Sequence, residues 1–123
     1  MTITTTKKVL ICDDEEGIRE SLKLILSDFY NLAVTTSGQQ CLEMIDKDPT
    51  IGIVLIDIKM PRVSGLDILK EIKKRRKDLN VVMVTGYKSV ETAAEATKAG
   101  ASGYIVKPFK ADDILDTVKR NLK

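Results

Sequence analysis

Four short apolar runs that do not alternate constrain this chain more than any other feature. Val9 to Cys12, Ile53 to Ile56, Val81 to Val84 and Tyr104 to Val106 are rich in β-branched residues and present no polar face. A strand wetted on one side alternates apolar and polar residues, because successive side chains point to opposite faces. Continuous apolar runs instead suit strands covered on both faces, so all four read as central strands of a parallel sheet. A fifth stretch, Leu32 to Thr36, mixes in threonines and suits an edge strand.

Parallel neighbours cannot be joined by tight turns, so each pair needs a crossover, usually a helix. The intervening segments supply helical stripes. Ile18, Leu22, Ile25, Leu26 and Phe29 form the first; Cys41, Leu42 and Ile45 a shorter second; Leu66, Leu69 and Ile72 a third; and Ile114, Leu115, Val118 and Leu122 the last. The segment Ser89 to Ala99 is also helical, but its inward candidates are mostly Val90 and alanines, which anchors it thinly. Gly100 marks a helix stop, and Asp112-Asp113 opening with Lys119-Arg120 closing the last helix complements its dipole. The pattern is (βα) repeated five times: an α/β, doubly wound five-stranded parallel sheet with right-handed crossovers. At 123 residues and 43% hydrophobic content, a single domain over 1–123 with a core of about 7–122 is expected.

Composition then removes whole classes of chemistry. The chain has no histidine, which excludes histidine metal sites and Ser-His or Cys-His catalysis. The net charge of +2 is too small to point to nucleic acid or an anionic membrane. The basic run Lys70 to Lys77 lies at a helix C-terminus, where cations complement the dipole, and reads as a solvated face. Cys12 and Cys41 sit in apolar stretches and read as buried small hydrophobes. No apolar leader opens the chain and no run approaches the ~18 apolar residues of a membrane span, so a cytoplasmic location is expected.

Carboxylates, hydroxyls and lysines are left to carry any chemistry, and they collect at strand ends. Asp13-Asp14 follows the first strand, Asp57 the third, Thr85 the fourth and Lys107 the fifth. In open α/β sheets the crevice at the carboxyl ends of the strands is the ligand site, so these residues converge. Singly, each has an ordinary explanation in a helix start, a turn or a loop; their joint placement does not. Neighbouring carboxylates repel unless a cation sits among them, and an all-oxygen set completed by phosphate suits Mg²⁺. Lys107 and Thr85 would supply donors to a phosphoryl group, and Asp57 is the best-placed nucleophile, since the adjacent Asp13 and Asp14 are better suited to the metal.

These motifs resemble the receiver domains of two-component response regulators, the chemotaxis-regulator-like family, over residues ~7 to 123. The residues that carry the resemblance are Asp13-Asp14, the run Asp57-Ile-Lys-Met-Pro61 with Gly65, Thr85, Tyr104 and Lys107-Pro108-Phe109. The stretch from Thr85 to Ala93 and on to Phe109 is more particularly similar to receivers of nitrogen-regulator-type transcription factors. The resemblance implies a flavodoxin-like strand order 2-1-3-4-5 and a phosphoacceptor at Asp57. It implies Mg²⁺ held by Asp14, Asp57 and the backbone carbonyl of Lys59, with Asp13 acting through water. It makes Lys107 the partner of the phosphoryl oxygens, Thr85 and Tyr104 the switch pair, and Lys59 and Tyr87 the residues that tune the phosphoryl lifetime. The implied protein is a phosphoacceptor switch with autocatalytic phosphorylation and dephosphorylation, not a conventional enzyme. Its donor would be a histidine kinase or phosphotransfer protein. Its output domain or effector would meet the face made by the Ser89 to Ala99 helix, the Tyr104 strand and the last helix, with a phosphorylation-dependent dimer as one form of output. No direct contact with nucleic acid or membrane is implied. The rival reading is a haloacid-dehalogenase-like Mg²⁺-dependent phosphatase, but such enzymes place a second Asp where this chain has Lys59, and there is no room for a cap. A flavodoxin-like cofactor binder is a third, opposed by the Asp-Asp-Glu-Glu loop after the first strand, which would repel a phosphate.

Overall fold

The computed structural model describes residues 7–122. In chain order the elements are β1 (Lys8–Cys12), α1 (Glu16–Leu26), β2 (Asn31–Thr35), α2 (Gly38–Lys47), β3 (Ile51–Ile56), α3 (Gly65–Arg75), β4 (Asn80–Thr85), α4 (Val90–Lys98), β5 (Gly103–Val106) and α5 (Ala111–Asn121). The strands form one five-stranded sheet in the order β2-β1-β3-β4-β5, every neighbouring pair parallel.

The non-alternating runs follow from helices on both faces. Leu10 and Cys12 of β1 join Cys41 and Ile45 of α2, Ile68, Leu69 and Ile72 of α3, and Ala96 of α4 in one buried cluster. Val9 and Ile11, pointing the other way, join Leu22 and Leu26 of α1 and Ile114 and Val118 of α5 in a second. Each such Leu or Ile contributes roughly 2 kcal/mol through burial.

The structure departs from the sequence expectations at β5, at the end of α1 and at the start of α4. The run Tyr104 to Val106 is not a central strand: β5 lies at the sheet edge, paired only with β4, and of its four residues just Ile105 is buried. Phe29 does not extend the first stripe, because α1 ends at Leu26 and Phe29 lies in the following turn, partly exposed. Val90 is not an inward anchor of α4; it is 80% exposed at the first helical position, leaving Ala96 as the only buried residue of that helix. The thin anchoring of α4 is therefore more pronounced than the sequence suggested.

Serine caps start three of the helices: Ser37, Ser64 and Ser89 accept from the backbone N–H groups of Gln40, Leu66 and Thr92. Gly100 ends the α4 segment at φ +107°, a left-handed conformation that favours glycine. The basic run at the end of α3 is engaged within the molecule. Lys73 Nζ donates to the carbonyls of Lys77 (2.7 Å) and Leu79 (2.9 Å), Arg76 donates to the carbonyl of Ile51 (2.9 Å), and Arg75 pairs with Asp46 and Glu71. The run is therefore not simply the solvated face expected from the sequence: Lys73 and Arg76 are half-buried and bind backbone carbonyls of the α3–β4 loop and the start of β3.

Gly65 links the fold to the site above it. Its N–H donates to the carbonyl of Ile58 at 2.8 Å, and a Cβ at this position would overlap the carbonyl of Asp57 and lie 2.8 Å from Ile58 Cα. Only glycine lets α3 start this close to the end of β3. Gly65→Ala is therefore expected to destabilise by about 2 kcal/mol in urea denaturation. By contrast Gly17→Ala, with open space around its α1 position, should be stabilising by about 0.5–1 kcal/mol. Equal effects at the two glycines would contradict this account of the α3 start.

Candidate functional site

Register brings the site together. Cys12 pairs with Ile56 across β1 and β3, so the residues that follow, Asp13 and Asp57, leave the sheet side by side. Thr85 ends β4 opposite Val106 of β5, which places Lys107 beside it. Backbone bonds hold these exits: Asp57 N–H to the Cys12 carbonyl (3.3 Å), Asp13 N–H to that of Thr35 (3.3 Å) and Lys107 N–H to that of Thr85 (2.8 Å). Arg19 of α1 donates to the Asp13 carbonyl at 3.0 Å and steadies the β1–α1 loop.

Asp13 and Asp57 are only 2% and 3% exposed. Burying two like charges is costly, and what offsets it here is Lys107. Its Nζ lies 2.8 Å from Asp57 Oδ2, 3.0 Å from Asp13 Oδ2 and 3.4 Å from Glu15 Oε1. The remaining oxygens of the buried pair are also satisfied: Asp57 Oδ1 accepts from the Lys59 N–H (3.1 Å) and Asp13 Oδ1 from the Glu15 N–H (2.9 Å). Burial raises the Asp13 pKa despite its hydrogen bonds to Glu15 and Lys107. For Lys107, burial works to lower the pKa, but hydrogen bonds and attraction to Asp57 and Asp13 outweigh it and the pKa is raised.

Carboxylate oxygens of Asp13, Asp14, Glu15 and Asp57 lie within 4.8 Å of one another. A single ammonium among four carboxylates leaves a net negative site. With only oxygen donors, this set fits a hard divalent cation. Asp14 is exposed and makes no hydrogen bond or ion pair among the described residues, so its oxygens are free for such an ion, whereas both of Asp13's already accept from protein donors. A cleft of about 310 Å³ opens above, lined by Glu15, Asp57, Lys59, Thr85, Gly86, Tyr87 and Lys107.

The expected residues Asp13, Asp14, Asp57, Lys59, Thr85, Tyr87 and Lys107 thus surround one cleft or its floor. Tyr104 does not touch it directly. Its hydroxyl donates to the Tyr87 carbonyl at 2.8 Å, while Tyr87 N–H reaches the fully buried Thr85 Oγ1 at 3.4 Å. Burial raises the Tyr104 pKa, and the negative charge of Asp57 adds to it. Glu15 and Arg19 carry no distinguishing signal in the sequence. Glu15 is visible there only as one acid in an acidic run, and Arg19 as one charge on a helix.

The fold and this constellation are those of a receiver-type signalling module. The chain belongs to the response regulator receiver family: the model of the response regulator receiver domain matches residues 9–119. It is 36% identical over 115 residues to the transcriptional regulatory protein ZraR of Escherichia coli, covering 93% of this chain and 26% of that protein. It is 39% identical over 114 residues to a putative response regulator NtrX-like of Rickettsia bellii, covering 91% of this chain and 24% of that protein. The chain therefore spans about a quarter of the length of these relatives. The solved receiver domain of NtrX from Brucella abortus superposes with a TM-score of 0.87 at 37% identity, covering 93% of this chain and 97% of that one. A receiver domain protein from Methanospirillum hungatei gives 0.87 at 34% identity, covering 93% and 91%. Within its family the chain resembles nitrogen-regulator-type receivers, and it is a signalling domain of two-component systems, not a classical enzyme.

An acidic cluster held for a cation should be frustrated without one. Asp14→Asn is expected to raise stability by roughly 1 kcal/mol in metal-free buffer, since Asp14 contributes repulsion and no compensating bond. Adding Mg²⁺ should stabilise the wild type and do so far less for the variant. A variant less stable than wild type without Mg²⁺, or equally responsive to it, would contradict this reading of the cluster.

Proposed function

We propose that Asp57 accepts a phosphoryl group from a histidine kinase or phosphotransfer protein. The observation that carries this is the combination of burial and access: Asp57 is buried yet lines the cleft, while Asp13 is buried beneath it and Asp14 is exposed beside it. An Asp57 carboxylate oxygen attacks phosphorus, the donor's bond to phosphorus breaks, and the leaving group departs toward the open cleft. Lys107 holds the acceptor carboxylate in place and donates to the incoming oxygens, with Thr85 as the second donor. Asp14, Asp57 and the Lys59 carbonyl would hold Mg²⁺, with Asp13 acting through water. When bound, the ion would disperse charge on the phosphoryl oxygens. The described residues are read as one receiver unit in the cytoplasm; among them no helix is long and apolar enough to cross a membrane.

Incubation with acetyl phosphate and Mg²⁺ should add one alkali-labile phosphoryl group, detected by intact mass, and Asp57→Asn or EDTA should abolish it. Label on a serine or threonine, or surviving in Asp57→Asn, would overturn the assignment. Tyr87, at the cleft wall, obstructs the in-line approach of water. After donor removal, label should therefore decay faster in Tyr87→Ala than in wild type; an equal or slower decay would show that Tyr87 does not shield the site.

The α4, β5 and α5 face is read as the output surface, toward an output domain, an effector or a second copy. Its support is the bonded path from Thr85 through Tyr87 to Tyr104, together with the weak hold on α4, of which only Ala96 is buried. A gap of a few kcal/mol between two placements of this segment suffices for a switch. Beryllofluoride with Mg²⁺ should shift amide resonances from residue 87 to residue 106. Shifts confined to the cleft would count against this surface.

A further inference from the structure

Lys107 has three N–H donors, and each is occupied: by Asp57 at 2.8 Å, Asp13 at 3.0 Å and Glu15 at 3.4 Å. The first two acceptors are buried, and a backbone N–H fixes the second oxygen of each. Glu15 differs. Its side chain is 61% exposed, its bond to Lys107 is the longest of the three, and it lines the cleft together with Asp57, Lys59 and Tyr87.

A phosphoryl group arriving on Asp57 brings oxygens that need donors, and Lys107 has none to spare. Of its three bonds, the one to Glu15 is the longest, the most exposed and the least constrained by other contacts. We propose that Glu15 is a specificity-determining residue of the phosphorylation reaction: its carboxylate holds the Lys107 N–H that a phosphoryl oxygen must take, and its charge opposes the entry of an anionic donor. This inference rests on the reading of Asp57 as phosphoacceptor.

Charge supports the same conclusion. The four carboxylates and one ammonium leave a formal excess of three negative charges, which a bound divalent cation reduces to one. That last charge faces every donor, and Glu15 is the carboxylate at the cleft wall that holds no other part of the site through its side chain. Removing it makes the metal-loaded site formally neutral. The effect is greatest for a small free anion at low salt, since exposed charges are screened beyond about 8 Å at physiological ionic strength. A donor protein that brings its own cations to the cleft edge can neutralise Glu15, so the residue favours phosphotransfer from a protein over capture from small phosphodonors.

The test compares initial phosphorylation rates at varied acetyl phosphate in saturating Mg²⁺ and low salt, read by intact mass, for wild type, Glu15→Gln and Glu16→Gln. Glu16→Gln changes net charge equally on the exposed first turn of α1, away from the cleft lining. Glu15→Gln is expected to lower the half-saturating donor concentration ~3- to 10-fold, with a smaller change in the ceiling rate and a loss of most of the salt dependence. Glu16→Gln should match wild type. The Mg²⁺ dissociation constant, measured alongside, should change less than the donor concentration does. A Glu15→Gln half-saturation equal to or above wild type overturns the proposal, as does a variant whose main defect is weaker Mg²⁺ binding, which would make Glu15 part of the cation site. Wild type without Asp57-dependent label would overturn the phosphoacceptor reading and this one with it; label in wild type with Glu15→Gln unchanged would overturn only the role of Glu15.

Discussion

One ammonium among buried carboxylates is the interaction on which the upper half of this molecule depends. Lys107 stands within hydrogen-bonding distance of Asp13 and Asp57, residues 94 and 50 positions away in sequence, and joins the ends of three strands. Without it the two carboxylates would be buried beside each other unpaired, which costs several kcal/mol. With it they are tolerable but not neutralised. The site therefore holds a standing demand for positive charge, which a divalent cation would meet.

The sheet makes such a cluster possible. Parallel strands end at one edge, so a carboxylate after β1, another after β3, a hydroxyl ending β4 and an ammonium after β5 need no long-range coincidence to meet. The close start of α3 is the other requirement. Gly65 lets the helix begin almost against the Asp57 carbonyl, and from the short loop between them the Lys59 N–H donates to Asp57 Oδ1.

Much of this was legible in the sequence because the fold and the site obey short-range rules. Burial on both faces writes itself as unbroken apolar runs, and the residue after each run names the site. What was not legible depends on relations the sequence does not encode locally. Tyr104 to Val106 looks like a central strand because it is short and apolar, yet its position at the edge is set by the other four strands. Val90 carries an apolar side chain at the start of α4 but points outward, because the helix meets the sheet near Ala96 at its far end. Glu15 is one of four acids in a row, and only the reach of Lys107 across the sheet distinguishes it from Glu16.

The bond between Tyr104 and residue 87 has a separate significance because its acceptor is a main-chain carbonyl. Every amino acid carries that acceptor, so the side chain at 87 is free to vary without breaking the tether. Under the function proposed above, clock and relay would lie on different parts of one residue: the side chain at the cleft would bear on how long a signal persists, and the peptide group on how it is passed along. Substitution at 87 would then reset the duration of a response while leaving its transmission intact, an independence that a bond through the side chain would forbid.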